Sequence, residues 1–127
     1  MKKIIIMAFL AVCSLMLSFA SNAQQLSKSD LPVFVTEMNK TLPQPIDKEM
    51  TFYKVQLLNG GNQMDFVIHM NSTELSSDEF IEACKSMTKQ ELRNSFGTEF
   101  KEMVTMLPVP VSVNFVFKDG KSYRVMY

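Results

Sequence analysis

The chain repeats one order of predicted elements, and this repetition limits its fold more than any other feature of the sequence. Each half begins with apolar residues at helical spacing, continues through a Leu-Pro-x-Pro-aliphatic segment and ends with two strand-like runs. The two Leu-Pro-x-Pro segments are residues 42–46 and 107–111. Because an isolated hairpin cannot bury its apolar face, the two units are expected to join into one sheet.

The first half predicts one helix and one hairpin. Residues 27–42 form the helical segment, with Ser29 or Asp30 as its cap. One helical face carries its apolar residues, Leu31, Phe34, Val35, Met38 and Leu42. The runs 50–58 and 64–70 read as strands, and the second is expected to turn Asp65 and His69 to the side opposite its apolar residues. The segment 59–62 between them, Asn-Gly-Gly-Asn, predicts a tight turn, since glycine and asparagine tolerate positive φ.

The second half repeats this order with a longer helical region. Capping boxes are predicted at 76–79 and 88–91, and Gly97 is a weak point in the helical pattern. Residues 77–107 therefore form either one long helix or two shorter ones with a bend between them. Residues 111–118 alternate in polarity, Asp119-Gly120 predicts a tight turn, and residues 123–127 complete a second hairpin.

Together these patterns predict an α+β fold with the order αββαββ. Residues 24–127 form one domain, with 24–74 and 75–127 as two αββ units related by duplication. We expect a four-stranded antiparallel sheet with the helices packed on one face. Most of the 11 methionines lie outside the first 23 residues, and five of these are expected to fill the core: Met38, Met64, Met70, Met87 and Met103.

Residues 1–23 have the layout of a bacterial secretory signal peptide. Lys2 and Lys3 precede an apolar segment, and small residues at 21 and 23 provide a cleavage site before Gln24. The sequence therefore predicts export to the periplasm or beyond, with no transmembrane segment after cleavage. Cys13 follows the bulky Val12 where a lipoprotein signal has a small residue, so we do not expect a lipid anchor at Cys13.

The composition favours no catalytic, metal or cofactor site. Acidic and basic residues number 13 each, and loss of Lys2 and Lys3 leaves a small acidic excess, which argues against nucleic-acid binding. The mature chain contains one cysteine, Cys84, and one histidine, His69. These can form neither a disulfide nor a zinc site, and no glycine-rich loop or nucleophile elbow is present. An enzyme using Cys84 is therefore the least favoured hypothesis.

The sequence resembles small exported proteins of unknown function from Bacteroides-type bacteria. The residues that carry this resemblance are the signal start 1–4, the helix–hairpin order and the hairpin segment 115–121. More loosely, the arrangement is similar to periplasmic helix-over-sheet domains of the PepSY and beta-lactamase-inhibitor-protein kind. The resemblance implies an architecture but assigns no functional residue.

The sequence favours a non-catalytic binding or accessory role that uses the exposed sheet face or its edge. The face is expected to carry Tyr53 or Lys54 and Ser112, with the tentative binding residues Tyr123, Arg124, Asn114, Lys118 and His69. The partner would be a protein, peptide or small ligand of the cell envelope, or a second copy joined at the sheet edge. The alternative is a hydrolase-inhibitor or immunity-type protein that inserts a loop, either 59–62 or 71–77.

Overall fold

A computed structural model describes residues 26–45, 48–71, 76–96 and 98–127. The predicted signal peptide, including Cys13, lies outside these residues. Within them, no helix has both the length and the apolar character needed to cross a bilayer.

The described residues form helices and strands in an α+β arrangement, as the sequence predicts. The helices are α1 (Leu31–Asn39), α2 (Ser77–Ser86), α3 (Lys89–Phe96) and α4 (Thr98–Thr105), and a 3₁₀ turn at Lys28–Asp30 leads into α1. The strands are β1 (Gln44–Pro45), β2 (Met50–Leu58), β3 (Gln63–Met70), β4 (Val111–Phe117) and β5 (Ser122–Met126). A second 3₁₀ turn, Asn59–Gly61, joins β2 to β3.

The described part of the chain contains a five-stranded mixed sheet in the order β1-β2-β3-β4-β5. Both predicted hairpins are present, β2–β3 and β4–β5, and each is antiparallel. The prediction of a four-stranded antiparallel sheet is wrong, because β3 and β4 run parallel from Met64↔Val111 to Met70↔Phe117. The connection between these strands passes through α2, α3 and α4, and a long helical crossover returns the chain to the starting end of the sheet.

Residues from all four helices share one core with one face of the sheet. The helices contribute Leu31 and Met38 from α1, Phe80 and Cys84 from α2, Phe96 from α3, and Phe100 and Met103 from α4. Of the methionines expected in the core, Met38, Met64, Met70 and Met103 are buried and Met87 is partly buried. This confirms the prediction for four of them and confirms that the helices pack on one face.

The region 77–107 contains three helices, and capping side chains mark the starts of the first two. Ser76 Oγ accepts a hydrogen bond from the Glu79 N–H at 3.1 Å, and Thr88 Oγ1 accepts one from the Glu91 N–H at 3.1 Å. Between these two starts, Met87 has extended backbone angles that end α2. Both predicted capping positions are confirmed, and a third helix, α4, continues the helical pattern after residue 97.

The first helix is shorter than residues 27–42. Its first turn is the 3₁₀ segment, where Asp30 Oδ2 accepts from the Ser27 N–H at 3.1 Å, and α1 ends at Asn39. The Asn39 side chain then bonds to β2: its Nδ2 donates to the Val55 carbonyl and its Oδ1 accepts from the Val55 N–H, each at 2.9 Å. The helix therefore ends at the residue whose side chain docks on the sheet.

Candidate functional site

The sheet face opposite the helices carries an ordered polar surface. Strand alternation and the observed register place Asp65, Val67 and His69 of β3 beside Ser112, Asn114 and Val116 of β4 on this face. The neighbouring strands add Gln56 from β2 and Ser122, Arg124 and Met126 from β5. We call this surface the outer face.

Asp65 forms the centre of a hydrogen-bond network on the outer face. Its carboxylate has no exposed surface, and it accepts from Ser112 Oγ at 2.6 Å, Gln56 Nε2 at 2.8 Å and the Arg124 guanidinium at 3.1 and 3.2 Å. Gln63 Nε2 donates in turn to Ser112 Oγ at 2.8 Å. A buried carboxylate needs such partners, because removing a charge from water is costly. The network therefore holds the Arg124 side chain in one position on the surface.

A stacked aromatic pair lies beside this network. The rings of Tyr53 and His69 are 4.0 Å apart and nearly parallel, at 14°. The register of β2 against β3 shifts between Phe52 and Lys54, so Tyr53 and Lys54 are both exposed. Burial first, and then the positive charge of Lys54, lower the pKa of His69 from its ordinary value of 6.5.

The structure brings four of the five predicted binding residues to the outer face or its rim. Asn114 and Arg124 are direct cross-strand partners. His69 and Lys118 line one small cavity of about 160 Å³ at the end of β3 and β4. These placements agree with the expected surface.

Tyr123 does not lie on this surface. It pairs with Phe115, which is a core residue, and its side chain packs against the core under the helices. Successive residues of a strand point to opposite faces, so Tyr123 and Arg124 cannot both lie on the outer face. The expectation that both residues share one binding surface is therefore corrected: Arg124 belongs to it and Tyr123 does not.

The two edges of the sheet differ in how they are covered. At the β2 edge, β1 pairs with Thr51 and Phe52, and Asn39 bonds to Val55. On the other side, β5 is the last strand of the described sheet. The bonds Tyr127 N to Val111 O and Phe117 N to Lys121 O, both 2.9 Å, show that odd-numbered residues of this segment face β4. The backbone groups of Ser122, Arg124 and Met126 therefore point away from the sheet.

A larger concave surface lies on the helix side. A cleft of about 490 Å³ opens between α3, α4 and the residues that flank β4 and β5. Its lining includes Arg93, Lys101 and Tyr127. No sequence pattern indicates this cleft, because its walls come from segments that are far apart in the chain and its polar residues resemble an ordinary solvated helix face.

Cys84 and His69 lie on opposite sides of the sheet. Cys84 belongs to the core under α2, where burial raises the pKa of its thiol to about 11. His69 lies on the outer face, so the two side chains cannot act as a nucleophile and its base. In the described ranges, no group of three or more His, Cys, Asp or Glu side chains is arranged to hold a metal ion.

The first of the two candidate inhibitor loops, 59–62, is closed by its own hydrogen bonds. The turn after β2 is tight, with φ of 55°, 68° and 90° at Asn59, Gly60 and Gly61. Its side chains bond within the turn and to its neighbours: Asn62 Nδ2 donates to the Asn59 carbonyl at 2.8 Å, and Lys28 Nζ donates to Asn62. This turn is therefore short and held by hydrogen bonds. Most of the second loop, at 72–75, lies outside the described residues.

Comparison with known proteins identifies the fold alone. No protein-family model matches the chain, and no curated protein matches its sequence. Among solved structures, the chain is similar to the crystal structure of a putative secreted protein from Pseudomonas aeruginosa, with a TM-score of 0.56 and 12% identity. The similarity covers 79% of this chain and 87% of that one. These comparisons support an α+β fold and lend no support to the resemblance to PepSY domains or Bacteroides-type proteins.

Proposed function

We propose that the mature chain is an exported, non-catalytic binding protein whose partner adds an extended segment to the β5 edge. The observation that supports this most is the difference between the two sheet edges. The β2 edge is covered by β1 and Asn39, whereas Ser122, Arg124 and Met126 direct their backbone groups away from the sheet. An uncovered edge strand can pair with an extended peptide or with a second copy of the same strand.

The outer face supplies the side-chain part of this proposed site. Residues 122, 124 and 126 turn their side chains to the outer face, so a strand added to β5 would lie beside Arg124. The Asp65 network holds Arg124 in place before any partner arrives, which reduces the entropy lost on binding. Arginine and tyrosine are typical anchors of protein interfaces, and both are exposed here, as Arg124 and Tyr53.

A proline substitution tests the edge without removing the side-chain site. In Ser122→Pro, the lost N–H is one that points away from β4, so the β4–β5 ladder keeps its hydrogen bonds. Ser122→Ala is the matched control, because it removes the hydroxyl and keeps the N–H. We expect the proline variant to lose at least about tenfold in partner affinity, while the alanine variant binds normally.

The assay uses the tagged exported chain and measures capture of its partner from the cell-envelope fraction. The intact mass of this chain should correspond to a sequence that starts at Gln24. Unchanged capture by Ser122→Pro, with unchanged thermal stability, would rule out pairing at the β5 edge. Loss of capture only when 59–62 is replaced by alanines would instead favour the loop-inserting inhibitor. Turnover of a substrate by the purified chain would contradict the non-catalytic part of the proposal.

A further inference from the structure

The cleft on the helix side has the size of a small-molecule site. Its volume of about 490 Å³ lies within the range of roughly 300–1,000 Å³ that is typical of ligand pockets. Its walls come from α3, α4, the start of β4 and Tyr127, and the Tyr127 N–H bonds to Val111 of β4 at 2.9 Å, so that residue faces away from the β5 edge. A ligand bound there would not depend on the strand pairing proposed above.

Positive charge dominates the polar lining of the cleft. Arg93 and Lys101 are both exposed in it, one from α3 and one from α4, and they are the charged side chains among the lining residues that the structure describes. Gln90 and Asn94 add side-chain amides to the same rim. Two cations with neutral donors beside them favour an anion over a cation or a neutral ligand.

Arg93 is held in a defined orientation at the cleft. Its guanidinium carbon lies 5.3 Å from the centre of the Tyr127 ring, and its Nη2 donates to the Tyr127 backbone oxygen at 3.2 Å. The Tyr127 ring is fixed in turn by Phe96 and Phe100, at centroid distances of 5.6 and 5.2 Å. That hydrogen bond uses one of the five N–H donors of the guanidinium.

The remaining wall is apolar. Val104, Pro110 and Val111 line it together with the Tyr127 ring. Such a wall next to two cations suits a molecule with an anionic head and a short apolar body. Arginine binds a carboxylate through two parallel hydrogen bonds, which makes the carboxylate a suitable head group. We infer that this cleft binds a small organic carboxylate with an apolar chain, the charge meeting Arg93 and Lys101.

Titration of the mature chain with octanoate, followed by amide NMR, tests this inference. We expect saturable shifts at residues of α3 and α4 and at Tyr127. Acetate lacks the apolar chain and octylammonium reverses the charge, so both should bind at least about tenfold more weakly. Equal binding of octylammonium would overturn the inference, and so would equal binding of acetate or the absence of saturable shifts at the cleft.

Matched lysine variants separate the cleft from general surface charge. Lys101→Gln removes one cation from the cleft, whereas Lys85→Gln removes an exposed lysine from α2, outside its lining. We expect octanoate affinity to fall by about fivefold or more in the first variant and to be unchanged in the second. Equal affinities of the two variants would contradict the proposed role of Lys101.

A peptide C-terminus carries a carboxylate, as a fatty acid does. N-acetyl-leucine mimics such a C-terminus and can be compared with octanoate. Tighter binding of N-acetyl-leucine than of octanoate would support a peptide ligand, and the reverse order would support a fatty acid. The variant Ser122→Pro should leave both affinities unchanged, so failure of the edge proposal and failure of this one are distinguishable.

Discussion

Asn39 shows how one side chain can replace a strand. Its amide donates to and accepts from the backbone of Val55, each bond at 2.9 Å, which is the pattern that a neighbouring peptide group would make. Among the described residues, no side chain bonds in this way to the outward-facing backbone groups of Ser122, Arg124 and Met126 of β5. Because unpaired edge groups invite association, the asymmetry of the two edges supports the proposed contact at β5.

At the same scale, His69 should make the stability of the protein depend on pH. Its pKa is lowered in the folded state by burial first and by Lys54 second. Its contribution is therefore fully present above the unfolded value near 6.5 and is lost as the pH falls through the folded pKa. We expect the melting temperature of the wild type to fall more than that of His69→Gln between about pH 7.5 and pH 5.

The histidine pKa itself can be followed by NMR of the imidazole. Lys54→Gln should raise the pKa of His69 only part of the way to 6.5, because burial is the larger cause. Lys89→Gln, on α3 and thus on the helix side of the molecule, is the control and should leave the pKa unchanged. A wild-type value at or above 6.5 would show that the assigned burial and charge effects are wrong.

At the scale of elements, the Asp65 network joins β2, β3, β4 and β5 across the outer face. Asp65→Ala would leave Gln56 and Ser112 without their shared acceptor, so we expect the free energy of unfolding to fall by about 2–4 kcal/mol. The loss stays within this range because Arg124 is 41% exposed and solvent partly screens its charge.

Asp78→Ala is the matched control for this prediction. Asp78 also forms an ion pair, with Lys121 at 2.8 Å, but its side chain is 78% exposed. We expect a loss of about 0–1 kcal/mol from that variant in urea unfolding. A similar loss in the two aspartate variants would mean that the network adds little to stability.

Local signals predicted the hairpins and the starts of α2 and α3, whereas non-local geometry decided the rest. Turn residues such as Gly60 and Gly120, at φ of 68° and 89°, and caps such as Ser76 act within a few residues of the chain. The parallel β3–β4 pair depends on a crossover of three helices, which the repeat pattern alone did not take into account. Strict alternation of side chains along β5 places Tyr123 and Arg124 on opposite faces of the sheet.

The candidate sites were harder to predict for the same reason. Strand alternation places Asp65 opposite the apolar residues of β3, and it does lie on the outer face, yet partners from other strands bury it fully there. A single aspartate in an alternating strand gives no sign of these partners. The cleft is still less visible, since Arg93, Lys101 and Tyr127 meet only after α3, α4 and the sheet have packed.

At the scale of the whole molecule, the central β3–β4 pair joins the two halves of the sequence. It runs through seven register positions, from Met64↔Val111 to Met70↔Phe117. The core crosses the same boundary, because Phe66 of β3 packs on Phe100 of α4 with ring centroids 5.9 Å apart. Separating the halves would therefore expose both a long strand edge and a large apolar surface in each half.

We therefore expect neither residues 24–74 nor residues 75–127 to fold alone, while residues 24–127 unfold in one cooperative step. The measurement is urea unfolding followed by circular dichroism and by the dispersion of amide NMR signals, on each half and on the intact chain. Each half should give a poorly dispersed spectrum and no cooperative transition. The decisive contrary result is a well-dispersed spectrum from either half, since a half that folds alone would not need the β3–β4 pairing for its core.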